Sequence, residues 1–421
     1  MRFNPVGTHA VLSVPFGYEY ANGVAINDSG TAYGIAASND GRQIPVRWRS
    51  DGVLAGLKLP EGASVEPGRL VDPIIPLYRG HRMAHELGGL GMSRRLSFAL
   101  SAALLASVIA APQAHAATTI TELGGLPGST GSVAAAINDS GVAVGTSNRA
   151  GLNRPVKFDG AGVTELAGPA DRHTQLEAIN NNGLAAGTAT GTSPDVGGRA
   201  LRYNADGSYA ELSVPFGFWS AAAVAIDDSG TVYGTAAGRN NDREIPVRWR
   251  PNGVLAALKL PEGATWGRVT GASSNGYATG VVSGPGMNRL AVRWNPGGTV
   301  TPLQRLEDGA ESAALAVNRN GDVVGTAEFW NEGSFGVRWN LDGSMTKFGP
   351  NLTPWSINDH GVAVGWSTTP NQNVPYRWSN EGEELDLGFP GGTQFAYPRD
   401  INNAGVIVGH GGAMACKWTV S

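Results

Sequence analysis

The sequence predicts an all-β fold: a seven-bladed β-propeller of four-stranded blades, with the last blade closed by the N-terminal strand of the mature chain. The first observation is a recurring stretch, Ile137 to Gly141 (INDSG), which is followed by Val-Ala-Val-Gly. The glycine that ends INDSG returns at steps of 40 to 47 residues, at Gly183, Gly230, Gly276, Gly321, Gly361 and Gly405. A period of this length indicates a repeat architecture. The second observation is composition, because 61 glycines between short apolar runs are typical of short strands joined by tight turns.

Each repeat divides into four short strands. The first is small and apolar and ends in Ile-Asn, as in 133–138, and an Asn-Asp-Ser-Gly turn supplies the positive-φ position of a hairpin. The second strand resembles 142–146. The third carries an aliphatic–basic–aromatic triplet, as in 292–294, and the fourth resembles 162–166. Alternation over four to eight residues between Gly and Asn predicts strands.

The third observation concerns the two ends of the repeat region. The last repeat stops after its third strand at 418–421, whereas 120–124 (ITELG) has the sequence of a fourth strand. One end can therefore complete the blade of the other, which removes open sheet edges. A β-solenoid is the alternative, although its repeats are usually shorter than these.

Residues 1–63 are a partial duplicate of 201–264. LSVPFG occurs at 12–17 and at 212–217, and IPVRWR occurs at 44–49 and at 245–250. Residues 64–91 lose the repeat pattern and are predicted to be an irregular linker.

Residues 92–116 have the order of a secretory signal peptide. A basic start (MSRR) precedes an apolar run from 96 to 111, and Ala114-His115-Ala116 forms a small-x-small cleavage site before Ala117. The apolar run would span roughly 24 Å as a helix, short of a ~30 Å hydrocarbon core, so a stable membrane span is not expected. We expect Met92 to be the true start, 1–91 to be a fused remnant, and 117–421 to be the mature propeller. The alternative keeps the long chain, with one orphan repeat tethered by a helix.

Bulk composition restricts the function. A net charge of −4 provides no basic surface for nucleic acid, and the single cysteine, Cys416, excludes an intramolecular disulfide. We predict a monomer without a cofactor.

The repeat resembles the HAF-type extracellular repeats of secreted bacterial proteins. The shared features are Ile-Asn-x-x-Gly-x-x-x-Gly and a later aromatic residue after a short loop, throughout 117–421 and again in 1–63. The His-Ala-Phe triplet of that family is replaced here by Arg-Pro-Val or Ile-Pro-Val. The resemblance implies an exported protein and transfers no catalytic residue. A weaker likeness to kelch-type blades is one of architecture alone.

Two repeated features have structural explanations. The Asn-Asp-Ser-Gly turns lack the alternating acidic ligands and closing Glu of a calcium loop, so no metal site is predicted. The basic residue of each third strand, such as Arg248, Arg293 or Arg338, is expected to pack between blades and donate to carbonyls of an adjoining turn.

Candidate binding residues lie where the repeat breaks. Loops from second to third strands and from fourth to first strands vary in length and must share one face of the disc, which we call the variable-loop face. Function concentrates on such loops. The candidates are Arg172, Trp219, Trp266, Arg268, Trp330, Trp366 and Tyr397. Other departures on this face are His173, Phe218, Glu328, Trp355 and Phe395.

The sequence therefore predicts an exported, rigid scaffold that binds an extracellular glycan, matrix polymer or protein through the variable-loop face. The alternative is a propeller hydrolase or lyase that acts on extracellular polysaccharide with loop carboxylates, such as Glu311, Glu328, Asp242 or Asp400, at the channel mouth. A module of an envelope layer without a ligand is a third possibility. No catalytic residue is assigned.

Overall fold

The computed structural model divides the chain into two units, residues 1–107 and 108–421. It describes residues 118–193, 196–239, 243–307, 310–329, 333–369, 372–380 and 383–421, together with strand segments between residues 2 and 56. The predicted linker and signal peptide, including Ala114, Ala116 and Ala117, lie outside the described residues.

The first unit contains the strands that the duplicated sequence predicts. Arg2–Phe3 pairs with His9–Ala10, in the register in which the third and fourth strands at 199–211 pair. A four-stranded antiparallel sheet then follows, formed by Tyr20–Ile26, Ala32–Ala37, Gln43–Trp48 and Leu54–Gly56. The partial copy thus holds the outer half of one blade and the whole of the next.

The second unit is a ring of seven four-stranded antiparallel blades, which confirms the predicted propeller. The strands of blades 1 to 3 are Gly131–Ile137, Ala143–Arg149, Leu152–Asp159 and Gly162–Glu165; Arg172–Ile179, Ala185–Gly191, Arg199–Tyr203 and Tyr209–Glu211; and Ser220–Ile226, Val232–Ala237, Glu244–Trp249 and Leu255–Ala257. Those of blades 4 and 5 are Trp266–Ala272, Ala278–Gly284, Met287–Trp294 and Val300–Pro302; and Ser312–Val317, Val323–Phe329, Gly333–Trp339 and Met345–Pro350. Those of blades 6 and 7 are Leu352–Ile357, Ala363–Thr368, Asn373–Trp378 and Glu384–Asp386; and Ala396–Ile401, Ile407–Gly411, Met414–Val420 and Thr118–Gly124.

Blade 7 is closed by the N-terminal strand of this unit, as the sequence predicts. Thr118–Gly124 pairs antiparallel with the third strand, Met414–Val420, with Ile120 opposite Trp418. The described helical structure is one 3-10 turn, Pro390–Gly392, and no described helix is long and apolar enough to cross a membrane.

The third-strand aromatic residues form the core between blades. Trp249, Trp294 and Trp339 are fully buried. The indole N–H of each donates to a carbonyl just beyond the outer strand of the preceding blade, at 2.8 Å to Ser213, 2.6 Å to Lys259 and 2.7 Å to Gln304. One side chain thus fills the space between two sheets and also fixes their spacing.

The third-strand arginines also bridge blades, in the structural role predicted for them. Arg293 is buried, and its Nη1 donates to the Gly321 carbonyl of the next blade's first turn at 2.6 Å. Arg338 donates to the equivalent Gly361 carbonyl and forms a 2.9 Å ion pair with Asp322. The terminal guanidinium nitrogens of these arginines thus contact the next blade, whereas the Nε atom of each is buried without a hydrogen-bond partner.

A β-bulge occurs in the first strand of every blade. The register shifts around the third residue before the turn Asn or its equivalent, at Ala135, Glu177, Val224, Thr270, Leu315, Trp355 and Arg399. The glycine of the Val-x-Gly motif in the second strand makes room for this bulge. A Cβ added to Gly145 would lie 1.9 Å from the Val133 carbonyl oxygen, and at Gly409 it would lie 2.0 Å from that of Tyr397.

Candidate functional site

The seven bulged residues all line a central cavity of about 820 Å³. The first strands surround this cavity, which continues past the Asn-Asp-Ser-Gly turns at one end and past Asn148, Asn153 and Ala413 at the variable-loop end. A bulge re-aims a side chain away from the regular pleat. The repeat therefore provides seven equivalent positions around one channel.

These seven positions carry different residue types. Four are small or apolar apart from one hydroxyl: Ala135, Val224, Thr270 and Leu315. The other three, Trp355 in blade 6, Arg399 in blade 7 and Glu177 in blade 2, are one aromatic and two charged residues. The departure from sevenfold equivalence is therefore confined to blades 6, 7 and 2, which flank Ala135 of blade 1.

Arg399 is positioned by aromatic faces. Its Cζ lies 5.0 Å from the ring centroid of Trp355 and 6.0 Å from that of Trp366, and these two indoles contact each other at 5.2 Å. Among the described residues, no acceptor takes a hydrogen bond from the guanidinium. Cation–π contacts hold the charge in place, so its N–H donors remain available to a molecule in the channel.

Tyr397 and His410 extend this cluster along blade 7. Tyr397 meets Trp366 edge-on at 5.3 Å and stacks on His410 at 5.0 Å, while Asn373 Nδ2 donates to the Tyr397 hydroxyl at 2.6 Å. Burial, with a smaller contribution from the Arg399 charge, lowers the pKa of His410 to about 4. The imidazole is therefore neutral at pH 7.

Glu177 is the free carboxyl of the cavity. Burial raises its pKa above the ordinary value, and the Arg399 charge partly opposes that rise. No ion pair within 4.0 Å joins Glu177 to Arg399, and no hydrogen bond to a described residue engages its carboxylate. Glu177 and Arg399 therefore interact electrostatically through the cavity without forming an ion pair.

Asp400 also lines the cavity, but its carboxyl is occupied. It accepts hydrogen bonds from the Ile137 N–H at 2.9 Å, the Ser356 hydroxyl at 2.7 Å and the Ile401 N–H at 2.9 Å, and it thereby ties blades 6, 7 and 1 together. Burial raises its pKa to about 6, against the effect of these hydrogen bonds. Its role is to join blades.

A ladder of asparagines joins neighbouring turns at the turn end of the cavity. Nδ2 of one turn Asn donates to the backbone carbonyl of the next turn: Asn318 to Asn358 at 3.0 Å, Asn358 to Asn402 at 3.1 Å, and Asn402 to Asn138 at 3.0 Å. The last bond crosses the closure between blades 7 and 1. Among the described residues, no group of three His, Cys, Asp or Glu is placed to hold a metal ion.

The structure brings together only some of the residues predicted to bind. Trp366 and Tyr397 belong to the channel cluster with Arg399, and they lie in strands, not in loops. Trp266 and Arg268 begin the first strand of blade 4, where Arg268 forms an ion pair of 3.1 Å with Glu244.

The remaining candidates lie elsewhere. Trp219 precedes the first strand of blade 3, with the Arg239 guanidinium 4.6 Å from its ring centroid. Arg172 begins the first strand of blade 2, and its buried Nη1 has no hydrogen-bond partner. Trp330 lies outside the described residues.

Glu177 and Arg399 were not among the predicted site residues, and Trp355 was placed on a loop. The signal that identifies all three is their shared position, the third before the turn Asn in an aligned repeat. In other blades that position holds Ala, Val, Thr or Leu. A charged or indole side chain there departs from the repeat.

No protein-family model matches this chain, and no curated protein matches its sequence. Among solved structures, the chain is similar to virginiamycin B lyase from Staphylococcus aureus, with 16% identity, a TM-score of 0.51, and coverage of 72% of this chain and 100% of that one. It is also similar to a streptogramin B lyase, with 14% identity, a TM-score of 0.48, and coverage of 72% and 98%. TolB from Acinetobacter baumannii has 11% identity, a TM-score of 0.42, and coverage of 70% and 64%. At 16% identity, the likeness to virginiamycin B lyase supports the propeller fold alone.

Proposed function

We propose that this chain is an exported binding propeller whose ligand enters the central channel from the variable-loop face. The observation that carries the proposal is the set of bulged residues. Seven equivalent positions face one cavity, and only Glu177, Trp355 and Arg399 depart from small or mostly apolar side chains. An asymmetric ligand requires such differences between blades, whereas packing in a repeat does not.

The rigidity of the cluster supports binding. Arg399 stands against two indoles, and Tyr397 is fixed by Asn373 and His410. A charge that is already held in one geometry loses little conformational entropy when a ligand arrives. The cavity volume of about 820 Å³ lies within the ordinary range for small-molecule sites.

The test is a thermal-shift screen of the full-length chain against small metabolites, peptides and oligosaccharides. Compounds that raise Tm are retested on Arg399→Gln and on Arg289→Gln, a matched control because Arg289 is exposed in blade 4 and does not line the cavity. We expect the Tm shift to disappear in Arg399→Gln and to persist in Arg289→Gln. Equal loss or equal retention in both variants contradicts a channel site.

Export is the second part of the proposal, and it rests on the sequence of residues 92–116. Expression of the gene in a bacterial host should give an exported species with Ala117 at its N-terminus. N-terminal sequencing measures this directly. An exported species that retains residues 1–63 contradicts the assignment of Met92 as the start.

A hydrolase or lyase acting on extracellular polysaccharide is the second candidate function. Glu177 favours it, because it is a cavity carboxyl without a hydrogen bond to a described residue, and burial raises its pKa in the direction that suits a general acid. Against it, the other carboxyl beside this cluster, Asp400, is occupied by three hydrogen bonds, so the usual second carboxylate of a glycosidase is not free. Release of reducing ends or unsaturated sugars from acidic polysaccharides by the wild type, but not by Glu177→Gln, would favour the enzyme over the binding protein.

A further inference from the structure

Two opposite charges face the channel without a hydrogen-bond or ion-pair partner among the described residues. Arg399 has unoccupied donors, and Glu177 has unoccupied acceptors. They are within electrostatic range, because each shifts the pKa of the other, yet no contact within 4.0 Å joins them. Glu177 is exposed to the channel and Arg399 is half-buried, so both charges can be reached by a ligand.

The residues between and around these charges define the space left for a ligand. Along the ring of blades, Arg399 of blade 7 and Glu177 of blade 2 are separated only by Ala135 of blade 1, whose methyl group leaves the gap open. Across the channel, Val224 and Leu315 present aliphatic side chains. Thr270 lies between them, and its hydroxyl donates a hydrogen bond to the Ala314 carbonyl at 2.8 Å. The cavity therefore has a cationic side, an anionic side and an apolar side at one level.

We infer that the channel ligand is a zwitterion with an apolar remainder, namely a free α-amino acid or a short peptide. Its carboxylate accepts hydrogen bonds from Arg399, its ammonium group contacts Glu177, and its side chain faces Val224 and Leu315. This inference rests on the proposed function and specifies the ligand class of the same site.

A ligand with only one charge fits this arrangement less well. An anion paired with Arg399 leaves Glu177 unpaired, in a cavity that Asp139, Asp228 and Asp359 also line at the turn end. A cation paired with Glu177 leaves Arg399 unpaired. A singly charged ligand therefore forms one charge-assisted contact where a zwitterion forms two, and each such contact contributes to affinity. A zwitterion compensates both at once.

The test is isothermal titration calorimetry of the full-length chain with four probes. Leucine carries both charges, N-acetyl-leucine carries only the carboxylate, leucinamide carries only the ammonium group, and leucyl-leucine carries both at a greater separation. We expect leucine or leucyl-leucine to bind roughly 10- to 100-fold more tightly than either singly charged probe, as for the loss of one charged hydrogen bond. Tighter binding of leucine than of leucyl-leucine would indicate an amino-acid ligand, and the reverse would indicate a peptide.

Variants then assign each charge. Glu177→Gln should abolish the preference over N-acetyl-leucine and retain the preference over leucinamide. Arg399→Gln should do the reverse, Arg399→Lys should restore part of the carboxylate preference, and Arg289→Gln should change neither. Thermal melts identify any variant that fails to fold. The preference of the wild-type protein for zwitterionic over singly charged probes tests the inference even if a variant does not fold.

Two results would overturn the inference. One is wild-type binding of N-acetyl-leucine or leucinamide as tight as that of leucine and leucyl-leucine. The other is no binding of any of the four probes. If the library screen still finds a ligand that depends on Arg399, the binding function survives and only the zwitterion assignment fails.

Discussion

Asp400 and His410 make opposite contributions to the pH dependence of stability. The pKa of Asp400 rises from 3.8 to about 6 on folding, so its contribution is complete below pH 3.8 and is lost as the pH rises through 6. The pKa of His410 falls from 6.5 to about 4, so its contribution is complete above pH 6.5 and is lost as the pH falls through 4. Between pH 4 and 6 these two contributions have opposite slopes and largely cancel each other.

Single variants should separate these contributions. His410→Phe keeps a ring stacked on Tyr397, and its free energy of unfolding should fall by roughly 2 to 3 kcal/mol from pH 4 to 6. Asp400→Asn should show a rise of similar size over the same range, on top of a pH-independent loss, because the amide cannot accept all three hydrogen bonds. Denaturant melts at four pH values measure both slopes. Parallel curves for the two variants would contradict these assignments.

Arg293 tests whether the third-strand basic residues are structural. Arg293→Ala should lower the free energy of unfolding by about 1–3 kcal/mol, because the buried Gly321 carbonyl loses its 2.6 Å donor. Arg289→Ala is the matched control, since Arg289 is an exposed residue of the same strand. Thermal and urea melts of the two variants decide the point. An Arg293 variant as stable as the control, with weakened ligand binding, would make the basic ring a binding surface.

At the scale of the element, each blade depends on the match between a bulge and a glycine. Gly145 faces the first strand where Ala135 bulges, and a Cβ there would meet the Val133 carbonyl at 1.9 Å. Gly145→Ala should therefore destabilise the protein by about 3 kcal/mol or more, since neighbouring backbone must move. Gly160→Ala is the control, because no atom lies within 4 Å of the Cβ it would add. Equal melting temperatures for the two variants would show that the bulge is not constrained.

The same element explains what the sequence could and could not reveal. The turn glycine is required by its positive φ angle and the second-strand glycine by the close approach of the first strand, so both recur in all seven repeats and predict seven blades. A bulge is a property of pairing register, which several residue types satisfy equally. The bulge residue thus varies freely from Ala135 to Arg399, and single-sequence patterns give no reason to align it. Trp366 and Tyr397 were found because aromatic residues stand out, whereas Glu177 and Arg399 resembled ordinary surface charges.

At the scale of the whole molecule, the ring is held closed by a strand from the other end of the repeat region. Thr118–Gly124 covers the edge of Met414–Val420, and Ile120 packs on the cluster that contains Trp418. Deleting residues 118–124 from the full-length chain exposes this edge and removes the apolar cover. We expect Tm to fall by roughly 10 °C, since each lost kcal/mol lowers Tm by about 2–4 °C at this size, and the exposed edge should promote aggregation.

Complementation in trans identifies the cause of that loss. A synthetic peptide of residues 117–125 can add the missing strand to the exposed edge, as in other strand-addition complexes. The deletion variant should regain most of its Tm and lose its aggregation when this peptide is present in excess. A scrambled peptide of the same composition is the control, because it preserves charge and hydrophobicity but not the register that places Ile120 opposite Trp418. Equal rescue by both peptides, or a deletion variant that melts like the intact chain, would mean that the asparagine ladder and the contacts between blades close the ring without this strand.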